Sequence, residues 1–198
     1  MYVPECEGDD VLAYLVKRKF ATDPATKIVV SNDKDFYQLL DDCGVKIYNH
    51  SKKVLVTGPD VLANPDFGIA PRNFALAKAI AGDISDNIPG VPGVKFKTIA
   101  KRFPALADTT KDYDLDDLQK MAQAGLVESK KPPKCYADVV SNKEVIHRNW
   151  RLMYLDTNCL SASQVEKINY RVDEYRPAIN HMDFLKVFSA HDLPVTQE

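Results

Sequence analysis

No stretch of this 198-residue chain is apolar over anything near the roughly 18 consecutive residues of a membrane-spanning helix, so a bilayer-crossing protein is not expected. The opening Met1-Tyr2-Val3-Pro4-Glu5-Cys6 has no basic residues ahead of an apolar core and does not read as a secretory leader. Cysteine is sparse. Cys6, Cys43, Cys135 and Cys159 stand far apart without a C-x-x-C pair, which argues against a disulfide framework or a zinc knuckle and fits a reducing, cytoplasmic compartment. Cys6 reads as a free thiol. His50, His147, His181 and His191 have no metal-ligand spacing, and the lone tryptophan, Trp150, reads as a core residue rather than a base-stacking platform. Neither sign of charge dominates: the net charge of −2 excludes a bulk polycation. Internal repeats and low-complexity tracts are lacking.

What remains is the composition of one soluble domain, or of one domain with a small appendage, 45% hydrophobic and 27% charged, long enough to bury a core without staples. The charge is unevenly placed. Residues 1–89 carry ten Lys/Arg against thirteen Asp/Glu, residues 90–151 twelve against eight, and residues 152–198 four against seven. From Lys95 to Phe103 there are four basic residues and no acid. Such a patch suits either a phosphate backbone or a solvated helix face.

Local pattern gives a coarse element order. Val11–Val16 opens a helix with Asp9-Asp10 at its cap. Lys27–Ser31, with three β-branched residues in succession, reads as a buried strand. Asp35–Leu40 reads as a short helix, Val45–Tyr48 and Val54–Val56 as a hairpin, and Pro71–Ala81 as a helix with proline near its start. This order suggests an α/β domain. Gly82–Phe103, with three glycines and two prolines, leads into a basic helix. Residues 104–136 are polar, with a loop at Lys130–Lys134. Ser141–Leu155 is helical, with Val145, Ile146, Trp150 and Met153 inward, and Asp183–Phe188 suggests a last helix.

Three acidic clusters fall at element ends: Glu7-Gly8-Asp9-Asp10, Asp33-Lys34-Asp35, and Asp83-Ile84-Ser85-Asp86. One such cluster is accounted for by helix capping. Capping needs one carboxylate per helix, however, and each cluster supplies two or three. In open α/β folds these ends converge at the carboxyl edge of the sheet. Seven converging carboxylates repel one another unless cations lie between them, and oxygen-only donors favour Mg²⁺ or Mn²⁺ over zinc. Two such ions about 4 Å apart can activate a water and stabilise the leaving oxygen of a phosphodiester.

Downstream, Ile88-Pro89-Gly90-Val91-Pro92-Gly93-Val94-Lys95-Phe96-Lys97-Thr98 has the form of a helix-hairpin-helix turn. Glycines let backbone approach a phosphate, the next helix N-terminus presents free N–H groups, and Lys95, Lys97 and Lys101 add charge. Contacts of this kind grip DNA without reading its sequence. The plain alternative is a tight turn between packed helices.

These residues resemble the 5′ nucleases: the 5′-3′ exonuclease domain of bacterial DNA polymerase I, the flap endonucleases and the T-even phage ribonuclease H. The matching strings are Glu7-Gly8-Asp9-Asp10-Val11, Asn32-Asp33-Lys34-Asp35-Phe36 with Gln38-Leu39, and Gly82-Asp83 through Val94, within residues 1–104. The resemblance implies a PIN-like (resolvase-like) α/β sheet fragment over 1–81, then a helical helix-hairpin-helix DNA-binding subdomain with C-terminal helices over 82–198. It implies two Mg²⁺ or Mn²⁺ ions, Glu7 and Asp9 on the first and Asp33, Asp35, Asp83 and Asp86 on the second, with Asp10 a further catalytic acid. Gly90, Val91, Gly93, Val94, Lys95, Lys97, Thr98 and Lys101 match the duplex-binding hairpin, whose carbonyls in some members hold a monovalent cation such as K⁺. Departures are small: Gly8 for a usual alanine, Asn32 for a usual glycine, and Lys95 where a third glycine is common.

The implied activity is metal-dependent hydrolysis near 5′ ends, flaps, nicks or RNA–DNA hybrids in phage or bacterial replication and repair, by in-line attack of an activated water. In the family the acidic E-x-D-D string follows an N-terminal half that supplies a central strand and further site residues; here it begins at residue 7. The chain is therefore expected to act as the C-terminal part of such a nuclease, as one half of a split enzyme completed by a separate N-terminal chain, or as a duplex-DNA-binding fragment.

Overall fold

The computed structural model describes residues 3–40, 44–128 and 130–176, together with Met182 and Lys186. Glu5–Ser161 forms one compact unit; the described residues of 1–4 and 162–198 form a second. Cys43, His181, His191 and, apart from Lys186, the helix expected at 183–188 lie outside the described residues.

In the larger unit, helix α1 (Gly8–Tyr14) leads through a π-helical turn to strand β1 (Lys27–Val30). The α1 cap is Glu7, two to three residues earlier than expected, with its N–H donated to Asp10 Oδ2 at 3.2 Å. Strand β1 pairs in parallel with β2 (Val45–Asn49), which pairs antiparallel with β3 (Val54–Val56). The expected hairpin is therefore present, and the expected short helix is a 3₁₀ turn over Asp35–Leu39. The reading of Lys27–Ser31 as buried is corrected. Val29 is buried, but Ile28 and Val30 are 56% and 64% exposed, because only one face of β1 packs on the core.

Helix α2 (Gly58–Ala63) returns the chain to a 3₁₀ turn at Pro71–Asn73, which runs into α3 (Phe74–Ala81). Every residue of α3 is buried, as its sequence Phe-Ala-Leu-Ala-Lys-Ala-Ile-Ala requires with the exception of Lys78. Two-residue strands β4 (Gly82–Asp83) and β5 (Ile88–Pro89) make a tight hairpin, followed by α4 (Phe96–Arg102). The polar stretch after α4 holds a helix that local pattern did not disclose, α5 (Leu115–Val127). It is capped by Asp114, which accepts the Asp117 N–H at 2.7 Å, and buries Leu118, Gln119 and Ala122. The expected single helix at 141–155 is two, α6 (Lys134–Ser141) and α7 (Lys143–Met153), with Ile146 and Met153 buried.

Two apolar clusters organise this unit. One joins α3, α4, α5, α6 and α7; the other joins the sheet, α1 and the 3₁₀ turn. Phe96 packs against both, stacked on Phe74 at 5.2 Å and edge-on to Phe67 at 5.2 Å. That contact ties the start of α4 to the sheet. Among the described residues, no buried side-chain polar atom lacks a partner. In the second unit, α8 (Ala162–Asp173) buries Ile168, and Gln164 donates to the Pro4 carbonyl at 3.1 Å. Among the described residues no helix is long and apolar enough to cross a membrane.

Candidate metal centre and nucleic-acid interface

Asp33 and Asp35 leave the end of β1 in a local turn. Asp33 takes the N–H of Asp35 on its Oδ1 at 2.8 Å and gives its own N–H to Ser31 Oγ at 3.0 Å. The turn is held from below by buried Gln38. Its amide donates to the carbonyls of Asp35 (2.9 Å) and Met153 (3.0 Å) and its oxygen accepts the Leu155 N–H (3.0 Å). Asp83 belongs to β4 and accepts the Ser85 N–H at 2.8 Å as well as the Ser85 hydroxyl. Asp86 lies exposed on the hairpin loop. Asp35, Asp83 and Asp86, separated by 51 positions of sequence at the extremes, each offer a carboxylate oxygen within 4.8 Å of the others.

Lys78 stands among them. Its Nζ donates to Asp35 and lies 2.5 Å from Asp83, with only 8% of its side chain exposed. Burial alone would lower its pKa, but the hydrogen bonds and charges of Asp35 and Asp83 outweigh that and hold it above the ordinary lysine value. The ammonium is therefore charged. Burial raises Asp35, with Asp33 and Asp83 adding to the rise and Lys78 opposing it. At Asp83 burial also acts upward, but hydrogen bonds from Lys78 and Ser85 prevail and bring it down to about 2. A positive charge already satisfies two of the three acids, which is the electrostatic demand a bound cation would meet. The donor set is all oxygen, so it fits a hard divalent ion.

Glu7, Asp9 and Asp10 reach the same place from the N-terminus of α1. Glu7, Asp9, Asp10, Asp33, Asp35 and Asp86 line one cavity of about 880 Å³, and Asp83 lines a neighbouring one of about 800 Å³. Asp9 feels this convergence: burial raises its pKa most, then the charges of Asp33 and Asp35. The far wall of the larger cavity is α7 and its continuation, with His147, Trp150, Arg151 and Tyr154. Trp150 is half-buried, packed against the helical core, and stacked on Tyr154 at 4.6 Å. The Cys6 thiol, next to the acids, is pushed up by burial and by Asp10 and Glu7.

The hairpin residues divide into two kinds. Val91 and Val94 are buried in the helical core, the Val91 N–H donating to the Ile80 carbonyl at 2.8 Å. Pro92, Gly93, Lys95, Lys97 and Lys101 are exposed, with Thr98 half-buried. Gly93 has φ +75° and nothing within 4 Å of where a Cβ would stand. Gly90 is different, since a Cβ there would meet the Ala81 carbonyl at 2.3 Å. Its smallness serves a crossing of the chain over itself. Lys95 and Lys97 line the smaller cavity with Lys34, Lys78, Asp33, Asp83 and Asp86, so the basic helix start and the acids share one groove.

Sequence reasoning missed Lys78 and Asn149. The signal for Lys78 was present: one lysine in an otherwise apolar helix. Asn149, fully buried on α7, donates to the carbonyls of Ala79 (3.0 Å) and Pro89 (2.8 Å) and so clamps the hairpin that bears Asp83 and Asp86. No local pattern marks it.

No family model matches the chain. Among curated proteins it is 38% identical over 95 residues to a 5′-3′ exonuclease of Buchnera aphidicola, covering 46% of this chain and 31% of that protein. It is 41% identical over 100 residues to the thermostable DNA polymerase I of Thermus aquaticus, covering 50% of this chain and 11% of that one. Among solved structures, a mutant 5′-exonuclease of bacteriophage T5 superposes with a TM-score of 0.66 at 22% identity, over 85% of this chain and 65% of that one. A T5 flap endonuclease in complex with DNA and metal ions superposes equally, with a TM-score of 0.66 at 21% identity, over 85% and 59%. The chain thus spans about a third of the curated exonucleases it matches and about a tenth of the polymerases. Over the part it carries the chain has the fold of the T5 5′-exonuclease, and its sequence is similar to part of bacterial 5′-3′ exonucleases and DNA polymerases I.

Proposed function

We propose that the chain is the acid-bearing and DNA-gripping part of a metal-dependent 5′-3′ exonuclease or flap endonuclease, hydrolysing phosphodiester bonds near 5′ ends in bacterial or phage DNA replication and repair. The observation that carries this reading is the meeting of Asp35, Asp83 and Asp86 within 4.8 Å at the head of a groove that also holds Lys95 and Lys97. Residues 1–81 hold the metal-binding part and 82–198 the DNA-binding part. Glu7, Asp9, Asp33, Asp35, Asp83 and Asp86 are assigned to two Mg²⁺ or Mn²⁺ ions, with Asp10 supporting Glu7 through its N–H. Bound there, the ions supply Lewis acidity to the phosphodiester and a water of lowered pKa. Lys78 opposes the rise that burial imposes on Asp35, helps bring Asp83 down, and holds both in place. Lys95, Lys97, Lys101, Thr98 and the backbone from Gly90 to Val94 hold the phosphate backbone of duplex or branched DNA, with a monovalent cation such as K⁺ at the hairpin carbonyls. The setting is the cytoplasm of a bacterium or phage-infected cell.

The test is a 5′-flap duplex with Mg²⁺, given to the chain alone and together with the polypeptide encoded directly upstream. Cutting in either sample, abolished by EDTA, is the expected result. A gel shift without cutting in both would establish instead the second reading, a DNA-binding fragment.

Two smaller effects follow. Mg²⁺ at a hundred times its dissociation constant should stabilise the free chain by about 2.7 kcal/mol, a rise in Tm of roughly 5–10 °C for a unit this size, whereas NaCl at equal ionic strength should not. Calorimetry showing no difference between the salts would remove the metal. Lys97 is paired with Asp66 at 3.0 Å, both groups exposed, so the pair adds little to stability. Lys97→Ala should leave Tm unchanged but weaken DNA binding and lower the log–log salt slope by about one. An unaltered slope would make the hairpin purely structural.

A further inference from the structure

A further cavity, of about 290 Å³, lies beyond Gln38 from the acids. Small-ligand pockets begin at roughly 300 Å³, so this one can take a single tetrahedral anion with part of what the anion is attached to, but not a duplex. Three cations line it from separate elements. Lys17 and Arg18 come from the π-helical turn after α1, which the Phe20 N–H closes on the Leu15 carbonyl at 2.8 Å; Arg72 comes from the 3₁₀ turn ahead of α3. Single π turns are rare and recur at functional sites. Arg18 is held in place by neutral acceptors: its Nε donates to Thr157 Oγ1 at 3.1 Å and its Nη2 to Asn158 Oδ1 at 2.9 Å. These bonds take two of the five N–H donors of a guanidinium and cancel none of its charge. Two acids share the lining. Asp112 meets Arg72 at 3.3 Å, but its side chain is 76% exposed, and a pair of that kind gives way to a ligand at little cost. Asp156 spends Oδ1 on the N–H and the amide of Asn158, at 2.9 and 2.8 Å. The balance of the cavity is positive.

We propose that this cavity binds a phosphate monoester dianion, its oxygens taken by Lys17, Arg18 and Arg72 through charge-assisted hydrogen bonds and whatever the phosphate carries lying along Tyr154. The Lys17 ammonium stands 5.4 Å from the centroid of that ring, so the charge and the aromatic surface adjoin. The dianion comes either as inorganic phosphate or as the 5′-phosphate of a mononucleotide. Tyr154, Leu155 and Asp156 line both this cavity and the larger one that holds Glu7, Asp9 and Asp35, so a nucleotide released at the acids would pass directly into it. Only that source rests on the nuclease reading; the anion site itself does not. Gln38 is the partition, lining the basic cavity while its amide holds the Asp35 carbonyl.

The test is calorimetric titration of the 198-residue chain with inorganic phosphate, adenosine 5′-monophosphate and adenosine, in EDTA so that no divalent ion bridges phosphate to the acids. Phosphate and the nucleotide should each bind saturably at one site, and adenosine should not bind. Tighter binding of the nucleotide identifies it as the source; equal or weaker binding identifies inorganic phosphate. Lys17→Gln and Arg18→Gln should each weaken binding about tenfold or more, whereas Lys120→Gln, on an exposed stretch of α5, should not. Asn158→Asp keeps Arg18 but sets a carboxylate against it in place of an amide oxygen. It should weaken binding to the same degree with Tm within a few degrees of the parent, which separates loss of the site from loss of the fold. No saturable binding in EDTA, binding indifferent to Lys17→Gln and Arg18→Gln, or an equal loss in Lys120→Gln would each overturn the proposal. Because none of these readouts uses metal or DNA, their failure leaves the nuclease reading standing, and absence of Mg²⁺-dependent cutting leaves the anion site standing.

Discussion

Asp35→Ala is expected to lower Mg²⁺-dependent cutting of a 5′-flap duplex by about a thousandfold, roughly 4 kcal/mol of barrier, while leaving DNA binding within a factor of about two. Asp35, like Asp86, stands both in the three-carboxylate group and on the larger cavity with Glu7, Asp9 and Asp10. Unlike Asp86, Asp35 pairs with Lys78, a pairing it shares with Asp83 of β4. Its removal takes a carboxylate from the proposed metal site and leaves Lys78 paired with Asp83. The hairpin and α4, which are expected to carry the DNA, do not touch Asp35 through any hydrogen bond. The measurement is single-turnover cleavage beside a gel shift at fixed salt, with circular dichroism to confirm the fold. Undiminished cutting would remove Asp35 from the centre, and parallel loss of binding and cutting would mean a folding defect.

Gly90→Ala is expected to destabilise the larger unit by about 3 kcal/mol, the upper part of the range for overpacking, and to lower its Tm by roughly 6–12 °C. A methyl group there would stand 2.3 Å from both the carbon and the oxygen of the Ala81 carbonyl group and 2.5 Å from the Gly82 nitrogen, all backbone atoms that cannot rotate aside. Gly82 meets the same crossing from the other strand, with φ +74° in addition, so Gly82→Ala should cost more. Gly93→Ala should cost only about 1–2 kcal/mol, for the left-handed backbone alone, because the space around it is open. Thermal melts of the three variants would show this order; an equal effect at Gly90 and Gly93 would mean that the crossing relaxes freely. The crossing also carries Asp83, so Gly90→Ala should loosen the proposed metal centre, and the expected Mg²⁺-induced rise in Tm should shrink with it.

Much of this site was legible from short-range pattern. Each acidic pair lies within three positions, Asp33 with Asp35 and Asp83 with Asp86, and adjacent spacing at an element end survives whatever the rest of the chain does. The Gly-Val-Pro-Gly-Val string likewise announces a turn, since Gly93 needs a positive φ that other residues avoid. Other features were hidden for identifiable reasons. The β-branched run Ile28-Val29-Val30 has the composition of a buried strand, and nothing in it says that only one face finds a partner within the chain. Helix α5 sits in a polar stretch because it buries only a narrow stripe, Leu118 with Gln119 and Ala122. Asn149 looks like any polar helix residue until α3 and β5 place two carbonyls before its amide.

By itself, the order of residues determined which groups could act: seven carboxylates at element ends, a glycine hairpin, a run of lysines, and the alternation that makes strands and helices of the segments between. These depend on neighbours a few positions apart, where backbone geometry leaves little choice. Only the folded chain decided which acids come together, that Lys78 stands between two of them, that Gly90 yields room to backbone, and which strand edge no described strand pairs with. Those outcomes hang on contacts between residues tens of positions apart, formed by whichever packing buries the most apolar surface, and no local spacing encodes them.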